Sequence, residues 1–95
     1  MTRDVDIIIA AVKRAVPSVT VIQMHKTFPA DDDGLWWFRL PGIAKDIQIE
    51  SSEGACPFVI ESDDFSCSDA KLGKTKDEVI TIVVDYLRSL LPPQS

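Results

Sequence analysis

Two tryptophans stand side by side in the apolar segment 35–40, and this pair constrains the fold more than any other feature of the sequence. Neighbouring side chains of a β-strand point to opposite faces of the sheet. One face of such a strand is wholly apolar and consists of Trp36, Phe38 and Leu40. Trp37 then lies on the other face, beside Leu35 and Arg39. Because Pro41-Gly42 is a strong turn signal, we predict a strand over 35–40 with one tryptophan in the core and one outside it.

Three further segments are rich in β-branched residues or alternate between apolar and polar positions, as strands do. They are residues 19–26, 47–50 and 57–61. Short connections between the last three strands fit hairpins better than parallel crossovers. The polar stretch 62–74 leaves room for a short edge strand near 65–68. The pattern therefore predicts an antiparallel meander of about four strands.

The beginning of the chain has the periodicity of a helix. Apolar residues recur at helical spacing on one side of it, namely Val5, Ile8, Ile9, Val12 and Val16. A short oxygen-bearing side chain can cap the first turn, and Thr2 or Asp4 fits that role. Pro17 ends the helix, because proline disfavours a helical conformation of the residue before it.

The end of the chain predicts a second helix. Thr75 and Glu78 have the spacing of a capping box, in which each side chain satisfies a free backbone amide of the other residue. A broad apolar stripe follows, made of Val79, Ile80, Val83, Leu87, Leu90 and Leu91. Pro92-Pro93 ends it. We predict one α+β domain over residues 1–95, with both helices packed on one face of the sheet.

The formal net charge of −5 is concentrated in the middle of the chain. Residues 31–69 carry ten acidic and two basic side chains, whereas residues 1–30 carry four basic and two acidic ones. A negative surface repels nucleic-acid phosphates and steers a basic protein toward it. The acids placed in predicted loops are Asp31, Asp32, Asp33, Asp63 and Asp64. The alternative is that these loops only keep the domain soluble.

Membrane and export signals are missing from the sequence. No stretch approaches the ~20 apolar residues that cross a bilayer, and the acidic N-terminus does not resemble a signal peptide. Two cysteines are too few for the disulfide framework of a small secreted protein. We therefore expect a cytoplasmic protein with reduced thiols, and the alternative is a single bridge between Cys56 and Cys67.

Catalytic and metal-binding chemistry finds little support in the residues. The acidic run before Gly34 does not fit the ligand register of a calcium loop. Cys56, Cys67 and the single histidine, His25, are too few and too far apart for a zinc site. A thiol nucleophile at Cys56 would need a base and an electropositive setting, but acidic residues surround it in sequence. We expect no catalytic residue, no metal and no cofactor.

The outer face of the predicted sheet is the best candidate for a binding surface. Trp37 and Arg39 share it with Gln48 and Glu50 of the next strand. An outer-face tryptophan with an arginine and a carboxylate nearby has the composition of a binding hot spot. The alternative is that the loops at 27–34 or 62–74 cover Trp37.

A resemblance to known proteins rests on the runs DDGLWWFRLPG and DIQIESSEGACPFVIESDD, which lie between Asp32 and Asp64. This stretch resembles small uncharacterised bacterial proteins, which are similar in size and acidity to the immunity proteins that neutralise toxins in bacterial competition. The resemblance implies that the acidic surface and outer aromatic residues cover the active site of a basic toxin. It assigns no role to any single residue.

Three functional hypotheses follow from the sequence. The first is an acidic protein-binding module of the immunity or inhibitor type, which occludes a basic partner through Trp37, Arg39, Glu50 and the acidic loops. The second is a small enzyme or ligand-binding domain that uses a cleft near Cys56. The third is a homodimer with a regulatory or scaffold role, paired through outer sheet faces or edge strands.

Overall fold

The computed structural model describes residues 3–23, 34–51, 54–62 and 71–91. Its elements are α1 (Asp4–Ala15), β1 (Thr20–Gln23), β2 (Leu35–Arg39), β3 (Asp46–Glu50), β4 (Phe58–Ser62), β5 (Lys71–Gly73) and α2 (Lys76–Leu90). The strands form one antiparallel sheet in the order β1-β2-β3-β4-β5, so each strand pairs with its neighbour in sequence. The predicted α+β meander with terminal helices is confirmed.

The number of strands differs from the prediction, because the described sheet has five strands rather than about four. The additional strand, β5, has only three residues, and its sequence Lys-Leu-Gly has neither alternation nor β-branched residues. Pairing with β4 rather than local propensity therefore makes this segment a strand. The edge strand predicted near 65–68 and the end of the first predicted strand, 24–26, lie outside the described residues.

The core lies between the sheet and the helices. Alternate residues of β2, β3 and β4 are at most 2% exposed, namely Trp36, Phe38, Ile47, Ile49, Phe58 and Ile60. The helices contribute fully buried residues at helical spacing, including Val5, Ile8, Val12, Val79, Val83 and Leu87. The rings of Trp36 and Phe58 meet edge to face with centroids 6.4 Å apart. Both helices thus cover the same face of the sheet, as predicted.

The start of α1 differs from the prediction. The N-cap is Arg3, and the Asp6 carboxylate accepts a hydrogen bond from the Arg3 backbone N–H at 3.1 Å. Thr2 lies outside the described residues, and Asp4 is the first helical residue rather than the cap. The Asp4 carboxylate instead accepts from the backbone N–H of Cys56 at 2.9 Å. The Asp4 side chain, which the local sequence offered as a helix cap, therefore makes a tertiary contact instead.

The start of α2 follows the prediction in part. Thr75 is the N-cap, and its hydroxyl accepts from the backbone N–H of Glu78 at 3.1 Å. The Glu78 carboxylate accepts from the backbone N–H of Lys74 at 3.1 Å, one residue before the amide expected for a capping box.

Neither helix of the described chain is long and apolar enough to cross a membrane.

Candidate binding face of the sheet

The sheet has a second face, turned away from both helices, which we call the outer face. Strand pairing arranges its side chains in rows across the strands. One row contains Ile22, Trp37, Gln48 and Glu61, and the next contains Leu35, Glu50, Val59 and Leu72. A third, shorter row contains Thr20, Arg39 and Asp46. Neither helix packs on this face, and its exposed residues are Thr20, Ile22, Arg39, Glu50, Val59 and Leu72.

Trp37 lies near the middle of the outer face. It is half-buried between its cross-strand neighbours Ile22 and Gln48, whereas Trp36 is 2% exposed on the core side. The indole N–H donates to the side-chain oxygen of Gln48 at 2.9 Å. This bond fixes the ring while leaving part of its apolar surface open, which suits a rigid contact residue. The predicted separation of the two tryptophans onto opposite faces is confirmed.

Arg39 is on the outer face as predicted, but it already has an acidic partner. Its Nε donates to the Asp46 carboxylate at 3.0 Å across the β2–β3 pair. The Pro41-Gly42 turn sets this register, and Gly42 has the positive φ, 74°, that the turn signal predicts. Sequence reasoning missed Asp46, although a hairpin register drawn from the turn would have found it. The Arg39 charge is therefore largely compensated within the protein.

Glu50 is an exposed carboxylate on the outer face, at the end of the middle strand β3. It lies between Leu35 of β2 and Val59 of β4 in the same row. It makes no hydrogen bond or ion pair with any residue in the described ranges. Its negative charge is consequently available to a molecule that contacts the sheet.

Three exposed apolar residues of the outer face were missing from the predicted site. Ile22, Val59 and Leu72 are 38%, 39% and 51% exposed. They account for three of the five large hydrophobic residues that the described chain exposes, so the outer face concentrates the exposed apolar surface. The position of Val59 follows from alternation along β4, whereas those of Ile22 and Leu72 also require the pairing of β1 and β5.

The five predicted acidic loop residues lie outside the described ranges: they are Asp31, Asp32, Asp33, Asp63 and Asp64. Their described neighbours in the chain are Gly34 before β2 and Ser62 at the end of β4. The register aligns Leu35 with Val59 at one end of the sheet, and Ser62 with Ile47 at the other. A five-residue strand is about 16 Å long. The chain therefore enters β2 and leaves β4 at opposite ends of the sheet.

The alternative site at Cys56 lies beside the start of α1. Cys56 is a free, partly buried cysteine whose backbone N–H donates to Asp4, and Asp4 pairs with Lys76 at 3.6 Å. Burial raises the pKa of the Cys56 thiol, and the Asp4 charge raises it further. Both effects favour the unreactive thiol over the thiolate. His25 and Cys67 lie outside the described residues.

Other chemistry is not apparent in the described part of the chain. It contains no group of three or more His, Cys, Asp or Glu side chains placed to hold a metal ion. An open depression of about 310 Å³ beside α2 is lined by Asp77, Glu78, Thr81 and Ile82. These residues include no thiol or imidazole, and Glu78 already serves the helix start.

A scan against protein-family models and searches of curated proteins and of solved structures found no match to this chain.

Proposed function

We propose that this domain is a protein-binding module that contacts a basic partner through the outer face of its sheet. The observation that carries the proposal is the position of Trp37, fixed by Gln48 and next to the exposed Ile22, on a face that neither helix covers and that also exposes Val59 and Leu72. Tryptophan in a partly apolar setting is the residue type most enriched among binding hot spots. Exposed apolar surface that is concentrated on one face of a protein also indicates a site of interaction.

The charge of the face supports a basic partner. Arg39 is paired with Asp46, so Glu50 contributes a negative charge that no described basic residue offsets. The net charge of −5 adds a long-range attraction for a positively charged protein. A partner of this kind would be held by apolar contacts and selected by charge.

The size of the face limits what it can do alone. Five strands of three to five residues cover at most about 20 Å by 16 Å, or roughly 320 Å². This area is smaller than the ~800 Å² that each partner contributes to a typical stable interface. The proposal therefore includes the acidic residues of 31–33 and 63–64 as a source of further contacts. An immunity or inhibitor protein, which acts by occluding a basic active site, is the specific form of this function that we favour.

The test is capture of the partner by tagged protein, followed by measurement of Kd with the purified partner. Trp37→Thr removes the ring and keeps a residue suited to a strand. We expect it to weaken binding about 30-fold, the effect of losing a hot-spot residue. Ile7→Thr is the matched control, since Ile7 is 40% exposed on α1 in the helical layer.

Equal loss of affinity in both variants, or wild-type affinity for Trp37→Thr, would remove the outer face from the proposal. Circular dichroism and urea unfolding of each variant establish that the comparison is made between folded proteins.

A further inference from the structure

The apolar residues of the outer face form two groups on either side of β3. The first group, which we call the β1–β2 patch, contains Ile22, Leu35 and Trp37. The second, the β4–β5 patch, contains Val59 and Leu72. Gln48 and Glu50 of β3 separate them. Leu35 and Val59 are two strand spacings apart, which is about 10 Å. The row of Leu35, Glu50 and Val59 thus presents apolar, acidic and apolar positions across the strands, whereas the row of Trp37 and Gln48 continues to Glu61 on β4.

From this arrangement we infer that the partner presents an amphipathic α-helix with one basic side chain between two apolar side chains seven residues apart. The inference rests on the proposed function and specifies the partner's contact element. Residues seven apart on a helix are about 10.5 Å apart on the same face, and a residue three or four positions after the first lies between them. The two apolar side chains would contact the two patches, and the basic one would reach Glu50.

A helix fits an open sheet face better than an extended segment does. Its backbone hydrogen bonds are satisfied internally. An extended segment laid on the face rather than along an edge would lose contact with water at unpaired N–H and C=O groups. Apolar anchors at helical spacing are also an established way in which proteins recognise a helix.

A second copy of this chain is a poor occupant of the face. A two-fold contact that joins the β1–β2 patch of one copy to the β4–β5 patch of the other brings the Glu50 carboxylates together near its centre. Like charges placed in contact oppose association. The helices of the chain do not offer the required pattern either, because Ile7 of α1 and Leu91 just after α2 are the large apolar residues that the described helical layer exposes.

The experiment uses synthetic alanine-based peptides of about 18 residues, long enough to be helical. The first peptide has two leucines seven residues apart with an arginine three residues after the first, and the second has glutamate in place of that arginine. Binding to the full-length protein is followed by NMR chemical shifts. We expect the arginine peptide to bind about fivefold more tightly than the glutamate peptide, as for an exposed ion pair replaced by a like-charge contact.

Glu50→Arg should reverse this preference. Asp85→Arg is the matched control, because it makes the same change of charge at an exposed position of α2 and should leave the preference unchanged. Equal binding of both peptides by wild type, an unchanged preference in Glu50→Arg, or no binding at all overturns the inference. If the arginine peptide binds equally well after a central residue is replaced by proline, the bound segment is not helical. That result overturns the inference as well. Concentration-dependent dimerisation in light scattering, abolished by Trp37→Thr, would assign the face to a second copy instead.

These outcomes are separate from the test of the proposed function. If the peptides fail while capture of the partner still depends on Trp37, the helical contact element is wrong and the binding face stands. If dependence on Trp37 is also lost, the proposed function fails with it.

Discussion

The Asp4 carboxylate has two contacts with distant parts of the chain. One oxygen accepts from the backbone N–H of Cys56, and the other lies 3.6 Å from the Lys76 ammonium. The hydrogen bond from Cys56, followed by the charge of Lys76, lowers the pKa of Asp4 against the opposing effect of desolvation. One side chain thus connects the starts of α1 and α2 to the segment before β4.

The lowered pKa of Asp4 predicts how stability changes with pH. A carboxyl group with a lower pKa in the folded than in the unfolded state stabilises the protein above its unfolded pKa, near 3.9. That contribution is lost as the pH falls through the folded pKa. We expect the unfolding free energy of wild type to fall more steeply than that of Asp4→Asn between about pH 5 and pH 2. Urea unfolding across this range measures the difference.

Lys76→Gln provides the control for this prediction. The Cys56 hydrogen bond is the larger cause of the shift, so this variant should retain most of the wild-type pH dependence. Parallel curves for wild type and Asp4→Asn would show that the Asp4 contacts contribute nothing to folding in this range.

The Cys56 thiol should react slowly with alkylating reagents. Burial and the Asp4 carboxylate raise its pKa, so less thiolate is present near neutral pH. In a Cys67→Ser background, where Cys56 is the one remaining cysteine, the rate of iodoacetamide alkylation at pH 7.5 should be below that of N-acetylcysteine amide. Asp4→Asn should lower the pH at which the alkylation rate reaches half its maximum. A wild-type midpoint below that of the reference thiol would restore Cys56 as a candidate nucleophile.

At the level of elements, β5 and α2 approach each other closely at Gly73. A Cβ at this position would overlap the Val79 side chain and lie 3.2 Å from Cδ1 of Ile60. Glycine therefore allows the short edge strand to pack directly against the first turn of α2. This contact helps to explain why a segment with little strand propensity is nevertheless part of the sheet.

Gly73→Ala should destabilise the protein by about 1–3 kcal/mol, the usual cost of overpacking a core. Val79→Ala removes the overlapping atoms, so the double variant should be less destabilised than the sum of the two single variants. Thermal and urea unfolding of the four proteins measure this coupling. Additive effects would mean that Gly73 is required for a reason other than contact with Val79.

The elements that were predicted from sequence are those with strong local signals. The β2 strand follows from the alternation of Trp36 with Trp37, and the N-cap of α2 follows from Thr75. The cap of α1 and the strand β5 were not predicted, because Asp4 bonds to the distant Cys56 and β5 forms by pairing with β4. Local sequence does not contain those partners.

The candidate site was predicted to a similar extent. Trp37 and Glu50 lie on the outer face as expected from alternation, whereas the pairing of Arg39 with Asp46 required the register of a hairpin. Ile22 and Leu72 belong to edge strands, and their exposure depends on which strands are central. Sequence alone therefore identified the centre of the face but not its apolar margins.

The whole molecule has two layers with different roles. The helices and the inner face of the sheet bury the apolar residues that a chain of 95 residues needs in order to fold. The outer face carries the half-buried Trp37, three exposed apolar side chains and the exposed Glu50, none of which belongs to the buried core. The proposed function depends on this division, with one tryptophan enclosed and the other accessible.

The most direct test is a measurement of solvent access to the two indoles in the intact protein. Protein labelled with 5-fluorotryptophan gives one ¹⁹F resonance for each tryptophan, and Trp37→Phe assigns them. A soluble nitroxide should broaden the Trp37 resonance strongly and leave that of Trp36 nearly unchanged, because Trp36 is 2% exposed. Equal protection of both resonances would contradict the account, since the outer face would then be covered and could not receive a partner.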